Sequence, residues 1–190
     1  SSPSMTNVTA TATGGTNNAG VYNSSSSPSM TDVAATATGG TYSDGVYNDS
    51  SSSPSMTDVT ATASGGIVNN GVFNYSSSPS MMNVIATGTG GSYSYGVYNS
   101  SSSPSMTNVT ATATGGTNNN YGVNNESSSP TIRNSSISGT TNSIYNDTST
   151  ALVADTMLEG GAVSGTGFTC LGAYDENLEE LIASCVIAAP

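Results

Sequence analysis

Apolar residues in the first three quarters of the chain recur at fixed places rather than in runs. Two positions after a repeating proline stand Met5, Met30, Met56, Met81, Met106 and then Ile132. Three further on come Val8, Val33, Val59, Val84 and Val109, with Ser135 closing the series. Two beyond these are Ala10, Ala35, Ala61, Ala86, Ala111 and Ile137; late in each unit come Val21, Val46, Val72, Val97, Val123 and Ile144. Thr, Ser and Asn fill the places between. Short segments therefore alternate apolar and polar with period two, bounded by Gly, Pro, Asn or Ser, which is the pattern of half-buried strands. Each unit has room for three strands of about three to six residues and none for a helix.

The marker prolines Pro3, Pro28, Pro54, Pro79, Pro104 and Pro130 recur at a nearly constant interval of about 25 residues, the mark of a repeat architecture. A unit of this length that cannot bury its own apolar side must stack on its neighbours. The expected fold is all-β: a parallel β-solenoid of about six coils, each strand pairing with its equivalent in the next coil at about 4.8 Å. The Ala columns imply a narrow interior. Two positions after each late Val runs an unbroken column of Asn23, Asn48, Asn74, Asn99, Asn125 and Asn146. Placed inside, its amides satisfy one another from coil to coil. The glycine pairs that begin at Gly14, Gly39, Gly65, Gly90 and Gly115 mark a bend that needs positive φ. A disordered chain has no reason to keep Met, Val, Ala and Asn in register.

These residues carry a resemblance. The frame Gly-Val-Tyr-Asn-Ser-Ser-Ser-Ser-Pro-Ser-Met-Thr-Asn-Val, read here from Gly96 to Val109, resembles the coil consensus of right-handed parallel β-helix repeat proteins, the pectate-lyase-like superfamily. It is most similar to the non-enzymatic bacterial surface members. The segment Gly165-Thr166-Gly167-Phe168-Thr169-Cys170-Leu171-Gly172-Ala173-Tyr174-Asp175-Glu176-Asn177 is similar to the carboxyl-terminal ends of such surface proteins. Right-handed coiling is implied by the resemblance and by the crossover rule.

Past Asn146 the register is lost, so residues 1–146 read as the solenoid and residues 147–190 as a carboxyl-terminal cap or docking region. Larger apolar groups there, among them Leu152, Met157, Leu158 and Phe168, suit a cover over the last coil. Leu178, Leu181, Ile182 and Cys185 have helical spacing and predict a short helix over Asp175–Cys185. Cys170 and Cys185 are the only two cysteines and are expected to form a disulfide. The stretch from Cys185 to Pro190 could lie as an added strand. Ser1 stands where an initiator Met would be, which suggests a processed or excised chain.

Composition narrows function. The chain has no His, one Lys or Arg (Arg133) and twelve Asp or Glu, for a net charge of −11. Triad catalysis, Schiff-base lysine, P-loops and His-ligated zinc are excluded, as is a nucleic-acid footprint. No apolar run reaches the ~20 residues of a membrane span. Ser, Thr, Asn and Gly together make 105 of 190 residues, which suits an extracellular or cell-surface location. The superfamily's lyases resemble one another in using a basic residue with calcium-binding acids, and its hydrolases in using clustered Asp. Here Arg133 stands alone, and Asp32 and Asp58 occupy a column otherwise filled by Asn7, Asn83, Asn108 and Asn134. That column reads better as a turn with αL geometry. The tail acids Asp155, Glu159, Asp175, Glu176, Glu179 and Glu180 read as a solvated face. No catalytic residue, metal site or cofactor is expected.

Three functions remain. The leading one is a non-enzymatic structural protein that polymerises with itself, the tail docking on a first coil left open at Met5, Val8 and Val21. The second is an ice-binding protein, using an outward Thr column at Thr11, Thr36, Thr62, Thr87 and Thr112 within Thr-x-Thr segments. The third is a carbohydrate-binding or polysaccharide-degrading β-helix that meets glycans or a cell surface. Its candidate platform is the aromatic column Tyr22, Tyr47, Phe73, Tyr98 and Tyr145, which stacking within the sheet also explains.

Overall fold

A computed structural model of the chain describes residues 2–186. It is an all-β parallel solenoid, with no helix among the described residues and hence none long and apolar enough to cross a membrane. Two sheets run its length, one of thirteen strands and one of seven. The first sheet begins with Ser4–Thr13, Ser29–Thr38 and Ser55–Ser64. The second is built from Asn17–Ser24, Tyr42–Asp49, Val68–Tyr75, Tyr93–Ser100, Asn119–Glu126, Asn142–Asp147 and Ser164–Gly165. The second-sheet strands reach eight residues, longer than the alternation alone suggested.

Register follows the repeat. Met5 pairs with Met30, Met30 with Met56, Met56 with Met81 and Met81 with Met106. Met30, Met56, Met81 and Met106 are sealed inside with Val33, Val59, Val84 and Val109. Within each first-sheet strand one residue takes αL geometry: Asn7, Asp32, Asp58, Asn83, Asn108, Asn134 and Asp155, at φ 48–55°. From the fourth coil on it divides the strand in two, as in Ser80–Met82 and Ile85–Thr89. Each coil thus has three strand segments. Asn and Asp tolerate αL because their short polar side chains bond locally.

The sheets approach closely. A Cβ built on Gly45 would lie 2.6 Å from Thr62 N and 2.8 Å from the Ala61 carbonyl carbon, both on the opposing sheet. Ala faces Gly there because nothing larger fits. The Ser-rich bend adds its own ladder: Ser53 N–H donates to Ser27 Oγ at 2.9 Å, and Ser78 N–H to Ser53 Oγ at 3.0 Å.

The ladder does not stop at Asn146. Ala151–Ala154 and Met157–Gly160 continue the first sheet, followed by Phe168–Leu171 and Tyr174–Asp175. Ile132 pairs with Val153, and Val153 with Cys170; each of these coils is shorter than the one before it. Strand pairing persists across shortened bends, so a search at the period of the earlier prolines loses these coils. Asp175–Cys185 is not helical. Leu178 has φ 62°, and Tyr174 forms an antiparallel bridge with Glu180. Only Leu181 and Cys185 of the four residues with helical spacing are buried, with Leu178 75% exposed. The added strand expected near Pro190 lies mostly outside the described residues.

Candidate functional site

The inner asparagines form one continuous chain. Asn23, Asn48, Asn74, Asn99 and Asn125 each donate Nδ2–H to the Oδ1 of the next, at 2.8–2.9 Å. Asn146 then donates to Thr166 O at 3.1 Å. Asn48, Asn74, Asn99 and Asn125 are wholly buried, so the amides are structural and closed to ligands or glycosylation.

The Thr column is in register. Thr11 pairs with Thr36, Thr36 with Thr62, Thr62 with Thr87 and Thr87 with Thr112. The column beside it holds Thr13, Thr38, Ser64, Thr89 and Thr114, while the other flank is broken at Ala34 and Ile85. The face is a lattice of hydroxyl and methyl groups with spacings of about 4.8 Å across strands and about 6.8 Å along them.

Asp32 and Asp58 sit exposed in the αL column. Asp58 Oδ1 accepts from Asn83 Nδ2 at 2.9 Å, and Asn83 Oδ1 from Asn108 Nδ2 at 3.2 Å. The column is a surface ladder of turn residues, with no metal-holding cluster of acids beside it among the described residues. In the tail, the backbone N–H of Glu179 is the main group holding the Asp175 carboxyl below its ordinary range, with Asn177 adding to it. Cys170 and Cys185 are disulfide-bonded, with Cα atoms 5.2 Å apart. Met5 and Val8 are half-buried at the first coil and Val21 is 8% exposed.

The aromatic residues point outward from the second sheet and stack on one another. Ring centroids are 4.9 Å apart for Tyr47–Phe73 and 4.8 Å for Phe73–Tyr98, with interplanar angles of 10° and 17°. Tyr145 is not reached along that column, because Asn124 occupies it. The stack crosses instead through Tyr95 to Tyr121, and Tyr121 lies 4.9 Å from Tyr145. Rings stacked face on face have little face left for a sugar. Burial is the main cause that pushes Tyr47 and Tyr95 up to about 12. Tyr98 donates to Glu126 Oε2 at 2.7 Å.

At the amino-terminal end the stack opens. Tyr22 and Tyr47 are tilted by 35°, and a depression of about 450 Å³ lies among Asn17, Ala19, Tyr22, Tyr42, Asp44 and Tyr47. Asp44 is 7% exposed. Its Oδ1 accepts from Asn70 Nδ2 at 2.7 Å. Burial raises its carboxyl from 3.8 to about 6, against the opposing pull of the Asn70 hydrogen bond. Sequence reasoning missed this group. Asp44 stands in the variable stretch of the repeat, where its column reads Ala19, Asp44, Asn70, Tyr95 and Tyr121, and nothing in that series signals a buried acid.

No family model matches the chain, and no curated protein is similar to it in sequence. Among solved structures it is similar to a trypsin-treated form of QnrB1, a plasmid-mediated fluoroquinolone resistance protein. Identity is 11% and the TM-score 0.29, over 90% of this chain and 92% of that one. A likeness of that degree bears on neither mechanism nor partner.

Proposed function

We propose that the chain is a non-enzymatic extracellular structural protein whose coils stack head to tail with those of further copies, giving a fibre or surface coat. The observation that carries this is the repetition of the coil junction from the first coil to the fifth. Backbone ladder, Asn amides and Ser hydroxyls propagate there along one axis, so a coil of this kind has the shape that accepts another. A heterologous contact of this kind extends into filaments when its rotation does not close. Size-exclusion chromatography with light scattering, and electron microscopy, test it on the whole chain and on Met5→Asp/Val8→Asp. Large assemblies that dissociate in the double variant are expected; a monomer at high concentration overturns the reading.

The in-register Thr lattice favours a second reading, ice binding, in which hydroxyl and methyl spacing orders water. Thermal hysteresis that is lost in Thr87→Lys is its expected sign, and none in the unmodified protein removes it.

A further inference from the structure

The outer column Ala19, Asp44, Asn70, Tyr95 and Tyr121 changes character along the solenoid. At Tyr95 and Tyr121 large rings fill the surface, each only 8% exposed. At Ala19 a methyl group leaves the surface hollow, and the space is lined by Tyr22, Tyr42, Tyr47 and Asp44. We propose that this hollow is a binding site for a small organic ammonium group, a quaternary or alkylated amine, held between the tyrosine rings and the Asp44 carboxylate.

The chemistry of the lining selects the ligand. Asp44 is a carboxylate largely removed from water, and the described hydrogen bonds engage only its Oδ1, from the neutral Asn70. A buried charge without a counter-charge is costly. No basic side chain lines the hollow; the chain's single one, Arg133, is in the first-sheet strand Thr131–Arg133. The titratable groups facing Asp44 are Tyr22, Tyr42 and Tyr47, with Asp49 accepting from Tyr22 Oη at 3.0 Å. All are acids. Tyr42 is 49% and Tyr22 56% exposed, so their rings border the opening. Aromatic rings beside a carboxylate attract a weakly hydrated cation through both the ring quadrupole and the charge. A calcium or magnesium ion would need about six or more oxygen ligands, and the hollow offers one carboxylate. A neutral saccharide would leave the charge uncompensated.

The test is a titration of the whole chain with tetramethylammonium chloride against sodium chloride at matched ionic strength, read by ligand NMR line broadening and tyrosine fluorescence. Saturable binding at about pH 7.5 is expected, falling as pH drops through about 6 as Asp44 takes up a proton. Asp44→Asn should weaken binding by about tenfold or more and abolish that pH dependence. Ala19→Leu, which fills the hollow and keeps the carboxylate, should abolish binding; Tyr42→Ala, at a half-exposed position, should weaken it without unfolding the chain. Asp58→Asn, on the other sheet, should bind as the parent does. The proposal fails if the folded protein shows no saturable binding, if Asp44→Asn binds unchanged, or if Asp58→Asn loses as much. It also fails if N-acetylglucosamine oligomers saturate the site while tetramethylammonium does not.

Discussion

Asn74 Nδ2 donates to Asn99 Oδ1 at 2.9 Å while Asn74 Oδ1 accepts from Asn48 Nδ2 at the same distance. Both partners are wholly buried. Asn74→Leu keeps the branched outline of the side chain, adds bulk and orphans one donor and one acceptor, at a cost of about 2–5 kcal/mol. Asn108→Gly breaks only an exposed bond at an αL position and should cost under about 1 kcal/mol. Chemical denaturation of the two variants checks the order.

Asp44 makes stability depend on pH. Its folded carboxyl is raised to about 6 from 3.8, so between these values the folded state binds more protons than the unfolded one. Stability should rise as pH falls from above 6 towards about 4, and the penalty at neutral pH is at most about 3 kcal/mol. Asp44→Asn should raise the neutral-pH Tm and flatten this slope. Thermal unfolding at about pH 5 and about pH 7.5 tests both, and a parent protein more stable at the higher pH would contradict the assignment.

Gly96 has no room for a side chain. A Cβ there would lie 2.6 Å from Gly122 O and 2.7 Å from Thr112 N, backbone atoms that cannot move aside singly. Gly96→Ala should cost about 3 kcal/mol or more. Gly39 has φ +83° with open space around it, so Gly39→Ala should cost only the ~1–2 kcal/mol of αL backbone. Equilibrium unfolding ranks them.

The Cys170–Cys185 bond has a sequence separation of 15, and both residues are buried. Its loss should remove about 3 kcal/mol in the chain-entropy model. The Cys170→Ser/Cys185→Ser protein should be cleaved faster between Glu176 and Ile182 under limited proteolysis, with the circular dichroism of the remaining coils unchanged.

The repeat alone determined the solenoid, its inward columns, the Asn ladder and the αL turn column. Each of these is a local rule written again in every coil: period-two alternation places Val59 and Ala61 inside, the αL residue Asp58 turns Met56 to the same side, and an unbroken Asn column has partners only in its own equivalents. Tertiary structure decided what depends on a neighbour's size or on bend length. Shortened bends let the coils run on past Asn146, with Val153 over Ile132 and Cys170 over Val153, because strand pairing constrains the strands and leaves the bends free. The helical spacing of Leu178 to Cys185 was overridden by the αL turn at Leu178 and by pairing with Tyr174. Asn124 diverted the ring stack through Tyr95 and Tyr121. The hollow over Asp44 exists because Ala19 precedes it in space, a full coil away along the chain; a contact of that range has no local signature.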